Sequence, residues 1–138
     1  MMAVLTFVPF TLFLFLAYNA MVFLGGMPGQ LDNVLSTVTL PSEAVWEVNV
    51  GDLLIIVGTL ILFIELFKAT RTSHSSIVDH VLSMMVFVAF LVEFIVVQAA
   101  GTSVFFILLM LSLVDVVAGF TVSIAAARRD FGINPGLQ

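Results

Sequence analysis

Residues 52–70 read DLLIIVGTLILFIELFKAT, an apolar run opened by an acid and closed by Lys68, with Arg71 just beyond it. A hydrocarbon core about 30 Å thick takes roughly 20 predominantly apolar residues of helix, and this run has that length. Its apolar centre at about 53–67 and three further runs, at about 3–24, 81–99 and 104–127, fill most of the 138 residues. With 62% hydrophobic and 9% charged residues, little chain is left for a soluble module. The pattern predicts an all-α membrane protein, a single domain over 1–138. Four transmembrane helices, at about 3–24, 52–70, 77–99 and 102–127, would form a small bundle.

The connector at about 30–51 is the one stretch outside the helices long enough for structure of its own. From Val34 to Leu40 and from Val45 to Val50 the residues are β-branched or alternate with polar ones, and Pro41-Ser42-Glu43 between them supplies turn chemistry. A short β-hairpin between the first two helices is the expectation. A two-stranded ribbon is marginal alone in water, so it should rest on headgroups, helix ends or a partner.

The first run is crowded with phenylalanine and carries Pro9 near its start. It lacks a basic n-region, and Tyr18-Asn19-Ala20 is a poor cleavage site, so it reads as an uncleaved helix rather than a secretory signal. Ser75-Ser76 followed by Asp79 reads as the N-cap and acidic first turn of the third helix. Ala99-Ala100-Gly101-Thr102-Ser103 is a tight turn that makes the third and fourth helices antiparallel neighbours.

Lys68, Arg71, Arg128 and Arg129 are all the basic residues in the chain. Short basic loops stay cytoplasmic, so these four determine topology: the second connector and the C-terminus lie inside. The hairpin section, with Asp32, Glu43, Glu47 and Asp52 and no basic residue, then lies outside, and the N-terminus inside. Trp46 and Tyr18 suit an outer interfacial belt, and the expected location is a bacterial inner membrane.

Glu65, Glu93 and Asp115 sit within apolar spans, where an ionised carboxylate costs about 2.5–3.5 kcal/mol at mid-bilayer on insertion scales. Each must be protonated, paired or turned to an internal interface. Glu65 lies one turn before Lys68 and reads as a pair at the membrane interface. Folding the last two helices about Gly101 sets Asp115 opposite Phe87 and separates it in depth from Glu93 by roughly 9 Å. The two acids are then stations of a relay or, the favoured reading, two independent interhelical bonds. On the fourth helix Ser112, Asp115, Gly119, Ser123 and Ala126 form a small and polar stripe suited to close packing. Gly58, Glu65 and Ala69 on the second helix, and Ala89, Glu93 and Ala100 on the third, share faces in the same way. The first helix offers Thr11, Phe15 and Tyr18, with Asn19 beside them.

Several classes are excluded or disfavoured. There is no cysteine, hence no disulfide, iron–sulfur or thiol chemistry. No polybasic patch is present to hold nucleic acid. His74 and His80 do not share a helical face and read as a solvated loop residue and an interfacial one, not metal or haem ligands. No nucleophile with a base stands out, so catalytic, cofactor-binding and metal residues are expected to be absent. An acid just before a basic loop, Glu65-Leu66-Phe67-Lys68, in a chain of four short helices resembles the phosphate-starvation-inducible PsiE proteins. That tetrapeptide and the topology are the extent of the resemblance, and topology alone implies no activity. The expectation is an accessory or assembly subunit of a larger membrane complex or homo-oligomer. Its partners would be the lipid bilayer and other membrane subunits or copies of itself. The alternative is a small proton- or cation-coupled transporter or channel using Glu93 and Asp115.

Overall fold

Asn49 ends a strand and begins a helix, and that junction sets the frame for the rest of the chain. In the computed structural model, which describes residues 8–25, 28–70 and 74–131, the backbone alone at 74–77, 123 and 126–131, the Asn49 side chain accepts from the Asp52 amide at 2.8 Å. The Asp52 carboxylate accepts from the Asn49 amide at 3.1 Å in return. This reciprocal capping box satisfies two otherwise orphaned donors. It starts helix α2 (Val50–Ala69) with no linker after the hairpin.

Before it come α1 (Thr11–Asn19), widened into a π-helical stretch at Ala20–Leu24, and the strands β1 (Val34–Thr39) and β2 (Val45–Asn49). After it come α3 (His74–Val96) and α4 (Ser103–Phe131). Three helical segments, Val50–Ala69, Val78–Val96 and Ser103–Val122, are long and apolar enough to cross a membrane, while the described first helix, Thr11–Leu24, is shorter. Its expected beginning near residue 3 lies outside the described residues. Pro9 nevertheless precedes the helix rather than sitting inside it, because a residue without an N–H costs least before the first turn. Its carbonyl accepts from the Leu12 amide at 3.1 Å.

The strands pair antiparallel, with Val38 opposite Trp46 and Thr37 opposite Glu47, and a bulge between Val34 and Ser36. Pro41 and Ser42 make the turn, and Glu43 follows with φ 65°, the three-residue hairpin loop in which glycine is the usual left-handed residue. Val38, Leu40 and Trp46 stay exposed.

The core gathers Tyr18 from α1, Leu54 from α2, Val86 and Phe90 from α3, and Phe105, Leu108 and Leu109 from α4. The Tyr18 and Phe105 rings meet edge to face at 4.7 Å, as do Phe15 and Phe90 at 4.9 Å, the favoured aromatic geometry. Two glycines set the approach of α2 to α4. A Cβ on Gly51 would come within 2.7 Å of Val104, and one on Gly58 within 3.0 Å of Leu108. The opposite faces, with Leu60, Phe63 and Phe67 on α2, Met85 and Ile95 on α3 and Val117 on α4, are exposed and apolar.

The connector between α3 and α4 is longer than a turn about Gly101. Val97 is extended, Gln98–Ala100 form a 3-10 turn and Ser103 starts α4. The midpoint of the fold-back therefore moves toward residue 99, and every α3–α4 pairing slides by about one helical turn. Helix α3 also begins at His74, so Ser75 and Ser76 lie within the helical backbone and are not its cap.

Candidate functional site

Glu65 on α2 points into the bundle, 2% exposed, and its carboxylate accepts from the Phe10 amide at the start of α1. That amide is one of the donors a helix leaves unsatisfied at its N-terminus, so an acid from α2 caps α1. One turn on, the Lys68 ammonium lies 3.3 Å from Glu65 Oε2 and 2.7 Å from Asp79 Oδ1 on α3. It also donates to the Val8 carbonyl at 3.1 Å and sits 5.0 Å from the centre of the Phe10 ring. The lysine turns into the bundle, where two carboxylates and a carbonyl replace the water it gives up.

The fourth helix joins this layer through Asp115. With the register slide just described, Asp115 meets Ser83 and not Phe87, and the Ser83 hydroxyl hydrogen-bonds to its carboxylate. Asp115 is 6% exposed and Ser112, one turn before it, 1% exposed. Asp115 Oδ2, Ser112 Oγ and Thr11 Oγ1 are buried without a hydrogen-bond partner. Gly119, one turn beyond, receives the ring of His80, which is itself buried and lies 5.5 Å from the ring of Phe120. His80 is thus an interior residue rather than an interfacial one. Asp115 and Gly119 face α3 of their own chain and Ser112 is buried one turn before them, while the side chains of Ser123, Arg71, Arg128, Arg129 and His74 lie outside what is described.

Glu93 belongs to a second layer, toward the hairpin end. Asn19 donates to its Oε2 at 3.1 Å, and Glu93 Oε1 has no partner. Nearby, the Tyr18 hydroxyl shares a 2.8 Å hydrogen bond with Thr102 and lies 3.2 Å from the Ala99 carbonyl. Tyr18 is fully buried, a bundle residue and not part of an interfacial belt. Because Asp115 lies level with Ser83, ten residues from Glu93 along α3, the two acids are about 15 Å apart in depth rather than 9. Val86, Phe90, Phe105, Leu108 and Leu109 fill the space between.

Asp79, His80 and Ser83 did not stand out in the sequence as interior groups. The signal was there in the spacing: residues 79, 83, 86 and 90 recur at four, three and four, one face of a helix, and all four are buried. Among the described residues no group of three His, Cys, Asp or Glu is placed to hold a metal ion. Comparison with protein-family models, with curated proteins and with solved structures gives no match for this chain.

Proposed function

We propose that this protein is an integral membrane accessory or assembly subunit without catalysis of its own, set in a bacterial inner membrane with both termini cytoplasmic and the hairpin outside. One observation carries the reading: the acids within the helices are used between helices of the same chain. Glu65 ties α2 to the start of α1, Asp79 ties α3 to α2, Asp115 ties α4 to α3 and Glu93 ties α3 to α1. A proton path needs stations within hydrogen-bond reach, directly or through water, and an apolar plug stands between the two layers. What the fold leaves free is apolar helix surface and a hairpin with Val38, Leu40 and Trp46 exposed, the parts another membrane subunit would meet.

The test is native mass spectrometry of the chain, extracted in mild detergent from cells making it at natural levels. A stoichiometric complex, with other subunits or with copies of itself, is the expected result. A monomer carrying only lipid overturns the proposal. The transporter reading keeps one observation in its favour, the partnerless oxygens of Asp115 and Ser112, and proteoliposome flux decides it.

A further inference from the structure

Strand alternation divides the hairpin into two unlike faces. Partners directly opposite in an antiparallel pair put their side chains on one side, and so do residues two apart along each strand. Val38 opposite Trp46 and Ser36 opposite Val48 therefore share a face, and Leu40 comes next on it, while Thr37 opposite Glu47 and Thr39 opposite Val45 make the other. The first face is apolar but for Ser36. The second carries two threonines and an acid, with Val45 beside them.

The rest of the chain does not cover the apolar face. Every residue of β1 is exposed, and Val38 is 42%, Leu40 40% and Trp46 45% exposed. A two-stranded ribbon is marginal alone in water, so this face calls for a surface to lie on.

Its place in the fold indicates which surface. Helix α2 has 20 residues, which at 1.5 Å each span about 30 Å, the depth of a hydrocarbon core. The capping box of Asn49 and Asp52 passes β2 into that helix with no linker, so the hairpin leaves the boundary of the core directly. Trp46 stands three residues before Asn49, at most about 10 Å of strand, and the headgroup layer is roughly 5–8 Å deep on each side. A tilted ribbon therefore sets the indole ring in that layer, the position tryptophan favours. Charge argues against a second hairpin in the same place. Residues 30–52 hold Asp32, Glu43, Glu47 and Asp52 and no Lys or Arg, so two copies laid together would bring like charges side by side with nothing in either to pair them. On a bilayer, Glu47 is turned away to water.

We infer that the hairpin lies on the bilayer surface, with Val38, Leu40, Trp46 and Val48 seated among phospholipid headgroups and the upper ends of the acyl chains. The inference rests on the membrane-spanning arrangement proposed above and divides its two free surfaces: the hairpin goes to lipid, and the helix faces remain for another subunit.

Trp46 is the single tryptophan of the chain, so its fluorescence reads the hairpin without a label. The full chain is reconstituted in phosphatidylcholine vesicles whose lipids carry a nitroxide either near the headgroup or near the end of the acyl chain. Trp46 should be quenched at least about twofold more by the shallow nitroxide than by the deep one, and shielded from aqueous acrylamide relative to free indole. Val38→Asp, on the same face, should return Trp46 to water, whereas Thr37→Asp, on the other face, should leave the quenching unchanged. Trp46→Phe with Leu60→Trp moves the probe to an exposed position near the middle of α2, where the deep nitroxide should quench best. Failure of that last result overturns the membrane-spanning arrangement and the inference with it. If Leu60→Trp behaves as expected but Trp46 is quenched by acrylamide like free indole, the hairpin stands off the bilayer and this inference alone falls. It falls equally if Trp46 is shielded from acrylamide and from both nitroxides, because the ring is then covered by protein.

Discussion

The ring of His80 occupies the space that a side chain at Gly119 would need: a Cβ there would lie 2.8 Å from both Cε1 and Nδ1. Because the ring also packs on Phe120, it has little freedom to withdraw. Gly119→Leu should therefore force α3 and α4 apart, at the 1–3 kcal/mol typical of overpacking or somewhat more. Adding His80→Ala to Gly119→Leu should recover part of the loss. Ala125→Leu, at an exposed position of α4, should cost little. Survival of each variant through heating and size-exclusion chromatography checks this, and equal survival of Gly119→Leu and wild type would contradict the packing described.

Lys68 is the joint of its layer. Lys68→Met leaves Glu65 and Asp79 buried without their cation, and removing one partner of a buried ion pair costs about 3–5 kcal/mol. Glu65→Gln with Asp79→Asn in the same chain removes the stranded charges and should restore much of that loss. A thermal-melt comparison of wild type, single and triple variants measures the coupling. Additive effects would mean that the ammonium is held mainly by the Val8 carbonyl.

How legible this was in the sequence differs by element. The centres of α2, α3 and α4 and both strands follow from run length, β-branching and Pro41-Ser42, since each signal is local. The capping of α1 by Glu65 is not local: Phe10 and Glu65 are 55 residues apart, and nothing in either segment names the other. Asp79 reads as the acid of a helix's first turn and His80 as interfacial because both stand near the beginning of a helix, where charge is normally solvated. Here Lys68 and Gly119 make interior places for them. A fold-back at the single point Gly101 puts the Asp115 partner one turn away from Ser83, its actual partner. Residues 97–102 have a length of their own, and small errors at a fold-back shift every contact along both helices.

Glu43 holds a left-handed φ of 65° with a side chain that disfavours it. Glu43→Gly should remove most of that penalty, offset by the entropy of a freer unfolded chain, for a net gain of roughly 0.5–1 kcal/mol confined to the hairpin. Hydrogen exchange of the strand amides is the suitable measurement, since a marginal ribbon opens separately from the helices. Slower exchange in β1 and β2 with α2 unchanged is expected; faster exchange would place the strain elsewhere.

Orientation is open to direct test. Reporter fusions should report Thr72 and Leu137 on the cytoplasmic side and Ser42 outside, because every basic residue flanks the first two sites and none flanks the third. A cytoplasmic Ser42 would reverse the proposed arrangement.

Asp115 separates the two functional readings. Asn retains the size of Asp and an oxygen that can accept from Ser83, but has no proton to lose and no charge to offer a cation, whereas Leu removes the polar group. If the residue serves to hold helices together, Asp115→Asn should leave the assembled species intact on native gels. Asp115→Leu should weaken it by about 0.6–2 kcal/mol, the range of interhelical hydrogen bonds in membranes. If it is a station for an ion or proton, both variants should assemble, and flux in proteoliposomes should be present in wild type and lost in each. The plug between the Asp115 and Glu93 layers favours the first pattern, because an ion leaving Asp115 toward the hairpin would have to pass Phe90, Phe105 and Leu108, all about 1% exposed or less. Robust wild-type flux abolished by Asn would mean that this plug opens and that the chain is a transporter. Absence of flux, with Asn assembled and Leu not, would leave Asp115 as a joint between helices.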